Sequence, residues 1–334
     1  MNPATTKTNK KISFAIIATL SIILGSFSFA YCLPEGESVI EGNASFDRSE
    51  ANVLKINTGS DKLIVEYGSF NLLSGESIYF SQPAVNSQAL NRVVGPNISN
   101  ISGSIYANGI IYIVNPNGIN IGSSAKIDVG GLVVSTLNIS NADFLNGKYN
   151  FFKDGQSAFL INQGNIVVTN GGYVCLLSQA LENKGVIQAE LGTVVLAAGE
   201  KTTLALDDLA QISVVVDEAV KEDVAGFDSA IKNSGTISAN GGKVILTAKV
   251  LNKVFDYAIN NTGVIEAKNI VAHNGIVELT AEGAPIYNIG KIEAGKVKIA
   301  TDSGFINKGI IDVSGSLVSP DGGKALITAM TILQ

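Results

Sequence analysis

Tryptophan is missing from this 334-residue chain, histidine occurs once, cysteine twice and proline only seven times. Charged residues make up 16% of it against 46% apolar. That balance excludes a disordered chain, which needs low hydrophobicity and high charge. A coiled coil is excluded as well, because about half its residues would be Ala, Glu, Lys, Leu or Arg. With only Cys32 and Cys175 there is no disulfide framework, so stability must come from packing and hydrogen bonds. A bridge between the two would join a flexible end to a strand. Cys175 lies in an alternating apolar stretch and reads as a small core residue. Catalytic signatures are missing too. The one histidine, His273, sits in a turn before Asn274-Gly275, and no nucleophile elbow, phosphate loop or zinc spacing accompanies it.

Glycine is plentiful, at 35 residues, and it is placed periodically. Asn-x-Gly followed by aliphatic residues recurs at Asn162, Asn183, Asn233, Asn261, Asn288 and Asn307, at intervals of 21, 50, 28, 27 and 19 residues. A second phrase, glycine before an apolar run, follows most of these, as in Gly171-Gly172-Tyr173-Val174-Cys175-Leu176 and Gly241-Gly242-Lys243-Val244-Ile245-Leu246. Each unit reads as two short strands with glycine supplying positive-φ corners. Such strands cannot bury their apolar face alone. Stacked as coils about 4.8 Å apart they bury it against one another, each strand parallel to its equivalent. The chain is therefore read as all-β: a right-handed parallel β-helix, a single solenoid of about a dozen rungs. Asn at one corner of successive rungs is expected to form a side-chain ladder. Hairpin turns of a β-sandwich would also use Asn and Gly, but would not repeat the two phrases in one order. The 50-residue interval reads as one degenerate unit plus an exposed acidic excursion at 217–223, a solvated loop in preference to a calcium cage because no ligand spacing is present.

The amino terminus reads as a secretory signal: a basic segment ending at Lys10-Lys11, an apolar run over 12–24, and Ser28-Phe29-Ala30 for a signal peptidase. The strongly apolar core falls short of the roughly 20 residues that span a bilayer. The alternatives are an uncleaved anchor and acylation at Cys32, for which the bulky Tyr31 is poorly suited. Residues 1–30 hold three of the 23 basic residues and no acid, so the rest carries 20 basic against 29 acidic groups. Such a surface repels phosphate backbones, and nucleic acid is not an expected partner.

Residues 68–152 carry a denser set of phrases: Gly68-Ser69-Phe70-Asn71, Phe80-Ser81-Gln82-Pro83, Asn91-Arg92-Val93-Val94-Gly95, Ile101-Ser102-Gly103-Ser104-Ile105, Asn115-Pro116-Asn117-Gly118-Ile119, Val129-Gly130-Gly131-Leu132 and Asp143-Phe144-Leu145-Asn146-Gly147. In order and spacing this resembles the amino-terminal secretion domain of two-partner secretion exoproteins (TpsA), the filamentous-haemagglutinin family. The resemblance divides the chain into a signal peptide over 1–30, a secretion domain over 31–290 and continuing rungs over 291–334. It implies export by the Sec machinery to the periplasm of a Gram-negative-type bacterium. From there a dedicated outer-membrane transporter of the TpsB type, with periplasmic docking domains, would carry the chain across unfolded. It further implies an adhesin-like protein, secreted or held at the cell surface and facing a host or neighbouring-cell receptor, with no cofactor. By the same resemblance, Asn91, Arg92 and Val93, and Asn115, Pro116, Asn117, Gly118 and Ile119, align with blocks the family uses for secretion competence. One departure is that an Asn-Pro-Asn-Leu phrase has no literal copy, Gly95-Pro96-Asn97-Ile98 standing nearest.

The residues themselves support part of this. Asn-Pro-Asn-Gly is a turn by composition: Pro116 fixes φ, Asn117 tolerates the left-handed region and Gly118 occupies it freely. The motif is either a rung corner or a transporter contact. Arg92, one of two arginines with Arg48, is either an exposed fork donor that docks a carboxylate or a cap for backbone carbonyls. The rival class is a polysaccharide lyase or hydrolase on the same scaffold. It would need carboxylates gathered on one face, whereas the acids here are scattered, with Asp207-Asp208 the only adjacent pair outside 217–223.

Overall fold

The computed structural model describes residues 32–206, 212–270, 273–314 and 323–333. The leader expected at 1–30 and the pair Asp207-Asp208 lie outside these described residues. The chain winds as a right-handed parallel β-helix with three strands to a rung, one more than the sequence phrases suggest. A representative rung runs Phe159–Asn162 on a first face, Asn165–Val168 on a second and Tyr173–Ser178 on a third, and the next rung begins at Ala180–Asn183. The extra strand is the short one ending in the asparagine of Asn-x-Gly, which the sequence reading took for a turn alone.

Packing follows from registry. On the second face Ile105, Ile127, Ile166, Ile187, Ile237 and Ile265 sit one above another, all fully buried. Burial of each such aliphatic stabilises by about 1.5–3 kcal/mol, and one rung supplies too few to offset its own ordering. At the corner between first and second faces the asparagine ladder is complete: the Nδ2 groups of Asn162, Asn183, Asn233, Asn261 and Asn288 each donate to the Oδ1 of the next asparagine at 2.7–2.8 Å.

The glycines of these corners work differently from the expectation. Gly185, Gly235, Gly263, Gly290 and Gly309 are not in the left-handed region. A Cβ at any of them would instead overlap the carbonyl oxygen of the equivalent glycine one rung earlier, so the requirement is close backbone approach. Positive φ is used at the other corner, at Gly171 (φ +80°) and Gly241 (φ +68°).

Two parts of the fold are not parallel. Ser38–Glu41 pairs antiparallel with Lys62–Tyr67, and Ala44–Asp47 with Val53–Thr58, which closes the amino-terminal end of two sheets. A four-stranded antiparallel sheet, Asn138–Ile139, Tyr149–Phe152, Lys201–Leu206 and Ile212–Glu218, lies outside the third face. Its inward residues Ile139, Phe151, Leu204 and Ile212, with Phe144 of the short helix Asn141–Leu145, form a second core with the outward residues Ile64, Leu90, Tyr112, Val133, Cys175 and Val195. From Gln88–Val93 to Thr193–Ala198 the third face is thus buried on both sides, which accounts for its continuous apolar runs there, whereas Ile276–Glu282 and Lys296–Thr301 alternate. The same sheet corrects the reading of the long interval: Lys201–Leu206 and Ile212–Glu218 form an antiparallel hairpin, and no second rung exists between Asn183 and Asn233.

Candidate functional site

The two motif blocks meet on adjacent rungs. Asn91, Arg92 and Val93 end the third-face strand Gln88–Val93, and Asn91 and Arg92 pair in register with Ile113 and Val114, immediately before Asn115. Strand alternation sends Asn91 and Val93 into the β-helix and Arg92 out of it.

Asn91 is a fully buried polar side chain, and its bonds are made. Its Nδ2 donates to the carbonyls of Ala89 (3.2 Å) and Tyr112 (3.1 Å), and its Oδ1 accepts from the hydroxyl of Tyr67 at 3.2 Å. Burial drives the Tyr67 hydroxyl pKa far above its ordinary value, which keeps it a neutral donor. A buried amide so satisfied fixes the strand register.

Arg92 is not the exposed donor that one of its two readings required. It lies beneath the outer layer, where Nη2 donates to the Ile139 carbonyl at 2.5 Å, Nη1 to Asn141 Oδ1 at 2.6 Å and Nε to Asn138 Oδ1 at 3.1 Å. The carboxylate it meets is internal, Glu66 at 3.2 Å. The planar fork ties the motif rung to the start of the outer layer.

The corner Asn115–Gly118 is stacked on the corner of the preceding rung. Asn115, fully buried, donates from Nδ2 to the Asn97 carbonyl and to Ser99 Oγ, both at 3.0 Å, while its Oδ1 accepts the backbone N–H of Asn117 at 3.0 Å. Asn117 donates from Nδ2 to the Gly95 carbonyl at 2.9 Å. Only Gly118 takes a positive φ, +128°, so the left-handed position falls one residue later than Asn117. Ile119 is buried in the core, Pro116 is half-buried and Asn117 alone of the eight is exposed. Around it Val94, Pro96, Asn97 and Ile98 are exposed as well, and they include the phrase that stands nearest to the missing Asn-Pro-Asn-Leu.

Sequence reasoning missed the partners: Asn97 and Ser99 for the corner, and Glu66, Asn138 and Asn141 for Arg92. The one available signal was Ser140-x-x-Asp143, a helix start, whose Ser140 Oγ accepts the N–H of Asp143 at 3.0 Å. The remaining candidates do not join the site. His273 is exposed at a corner, and its backbone pairs with Ile270. Cys175 is fully buried between the third face and the outer sheet, and burial pushes its thiol pKa well up. In the acidic stretch Asp217 accepts from Thr203 and Glu218 pairs with Lys221; among the described residues no three ligating side chains gather as a metal cage.

Comparison with known proteins gives a consistent outcome. The profile of the TPS secretion domain matches residues 30–294. Heme/hemopexin-binding protein of Haemophilus influenzae strain Rd is 31% identical over 333 residues, 93% of this chain and 35% of that protein. A second Haemophilus influenzae protein of the same name is 30% identical over 87% of this chain and 32% of its own. The chain therefore spans about a third of the length of these relatives. Among solved structures, the HMW1 secretion domain from Haemophilus influenzae superposes with a TM-score of 0.75 at 26% identity, covering 90% of this chain and 84% of that one. The filamentous hemagglutinin secretion domain gives 0.55 at 11% identity over 90% and 99%, a likeness of fold alone.

Proposed function

The chain belongs to the TPS secretion domain family, and on that basis we propose that its Asn115–Gly118 corner presents a small exposed tip to the transporter while the buried motif residues hold that tip in shape. Two-partner secretion across the outer membrane with a TpsB transporter is the role the family carries. The finer reading adds that residues 1–30 direct Sec export to the periplasm and that Asn91, Arg92, Val93, Asn115, Gly118 and Ile119 act through the fold. Pro116 and Asn117, with Pro96 and Asn97 of the rung below, act by contact. The observation that carries this is the division of the motif by burial, with Asn117 outside and Asn115 fully inside.

Outside the cell the protein is read as an adhesin-like binder without catalysis. Glu278 on the outward third face is paired with Lys243 and Lys298, and Glu200, between that face and the outer sheet, with Lys153 and Lys221, an arrangement suited to stability and not to sugar hydrolysis. The name of the curated relatives adds a second reading for the surface role, recognition of heme or hemopexin. A pull-down of hemopexin and a sugar-release assay on the purified protein separate these surface roles from a polysaccharide-degrading one.

The secretion reading is tested by co-expressing the chain with its transporter and comparing Asn117→Ala with Asn115→Ala, scoring export beside urea stability. Asn117→Ala is expected to cut export while leaving stability within about 0.5 kcal/mol, and Asn115→Ala to lower both. Full export of Asn117→Ala would assign the whole motif to scaffolding.

A further inference from the structure

The first described residues, Cys32 to Glu35, are strapped onto the closed end of the solenoid. Leu33 is buried in the main core, Glu35 exchanges backbone hydrogen bonds with Gly68 and Ser69 at 2.9–3.2 Å, and Arg48 donates to the Pro34 carbonyl at 2.5 Å. The strap ends on an acid. Glu76, 3% exposed, accepts the N–H of Cys32 on Oε1 at 2.8 Å and the N–H of Leu73 on Oε2 at 2.7 Å.

Both donors are neutral, and a buried carboxylate without a cation is costly. The cations of this end are engaged elsewhere, Arg48 with Glu37 at 3.0 Å and Lys55 with Glu50, and among the described residues no ion pair reaches Glu76. Glu35 adds to the negative potential: after burial, the charges of Glu76 and Glu35 raise the Cys32 thiol pKa. The fold thus calls for a positive group just before Cys32.

We propose that this group is the amino terminus which leader removal creates, an α-ammonium on Tyr31 paired with Glu76. The inference rests on the leader reading. Hydrolysis of the Ala30–Tyr31 bond adds one water, leaving a carboxylate on Ala30 and the ammonium on Tyr31. Adjacent backbone nitrogens are at most about 3.7 Å apart, so an amine one residue before Cys32 has Glu76 within about 6.5 Å at any torsion. An opposite charge at that range favours the protonated amine. An open cleft of about 440 Å³ between Leu33, Glu35 and Arg48 leaves room for the tyrosine side chain. The cap strands Ser38–Glu41 and Ala44–Asp47 follow directly, so processing completes the closed end and the precursor lacks this ion pair. With the folded amine pushed above its unfolded value of about 7.7–8.0, its stabilisation is full below that pH and is lost as pH rises through the folded pKa.

The test takes protein recovered from the periplasm of expressing cells, sequences its amino end and reductively methylates it with carbon-13 formaldehyde, which keeps the amine's charge. NMR then follows the titration of the terminal amine. A Tyr31 start is expected, with the amine titrating above the ordinary range of about 7.7–8.0 in the native chain and within it in urea. In Glu76→Gln the native value should fall back towards that range. The comparison of native and urea-unfolded parent stands by itself if the variant does not fold. Absence from the periplasm, or a chain that starts at another residue, overturns the leader reading and this inference together. A Tyr31 start with an ordinary native titration, or with a raised one that Glu76→Gln leaves in place, overturns the inference alone.

Discussion

Asn183 donates from its side-chain amide to the side-chain carbonyl of Asn233 at 2.8 Å, across 50 positions of sequence. The bond is as short as those of the ladder made across 19–28 positions, because rung distance and chain distance are uncoupled wherever the chain leaves the solenoid and returns. Replacing Asn233 by Ala strands the Nδ2 of Asn183 and the Oδ1 of Asn261 in a buried corner. Each buried group left unpaired costs about 1–3 kcal/mol. Urea unfolding of Asn233→Ala is therefore expected to show a lowered midpoint with an unchanged slope. A midpoint equal to the parent's would mean the ladder is ornamental.

The neighbouring glycine gives a sharper case. Gly235 has no unusual φ, so an alanine there meets no torsional objection, yet its methyl would overlap the Gly185 carbonyl oxygen. The rungs would have to separate locally, and Gly235→Ala is expected to destabilise by about 3 kcal/mol or more. Gly155, at positive φ with open space around it, should lose no more than about 1–2 kcal/mol on the same change. Calorimetry on the pair ranks close approach against torsional strain.

The repeating part of this fold was legible because its physics is local and recurs. Asn162, Asn183, Asn233, Asn261, Asn288 and Asn307 each pair with their counterpart one rung away, so a fixed phrase marks a fixed corner. The outer sheet was not legible. Its strands Tyr149–Phe152 and Lys201–Leu206 come from excursions 50 residues apart and occur once each, so no period exposes them. For the same reason the motif was found while the environment of Arg92 was not. The residues that bury it, Asn138, Ile139 and Asn141, belong to a layer that only the folded chain assembles.

Glu200 links that layer to the solenoid electrostatically. Burial opposes its ionisation, but hydrogen bonds from Lys221 and Lys153 outweigh the burial and hold the carboxyl below its ordinary pKa. A depressed folded-state pKa adds stability that is present above the unfolded value of about 4.3 and is lost as pH falls through the folded one. Glu200→Gln is accordingly expected to melt below the parent at pH 7, with the gap closing as pH drops below about 4. A gap that stays constant with pH would show that the amide loses packing and not charge pairing.

The two thiols should differ in reactivity. Cys175 is fully buried and its thiol is pushed well up by burial, whereas Cys32 is half-buried, with burial and the nearby Glu76 and Glu35 raising its pKa less. The thiolate is the reactive species. At pH 8 an alkylating agent is expected to label Cys32 slowly in the native protein and Cys175 only after denaturation. Rapid native labelling of Cys175 would mean that the outer sheet opens readily over the third face.

Arg92→Lys tests whether the fork, and not the charge, fastens the outer layer. Lysine keeps a positive charge near Glu66 but cannot reach the Ile139 carbonyl and the Asn138 and Asn141 side chains together. Hydrogen bonds to a charged group contribute about 1.5–3 kcal/mol each, and at least one is lost. Rungs stacked in a solenoid feel chiefly their neighbours, so the loss should stay local. Amide exchange is expected to quicken in 138–152 and 88–93 and to remain as in the parent at 264–301. Uniform quickening along the chain would show instead that solenoid and outer layer unfold as one cooperative unit, with Arg92 a contributor to global stability and not a local fastening.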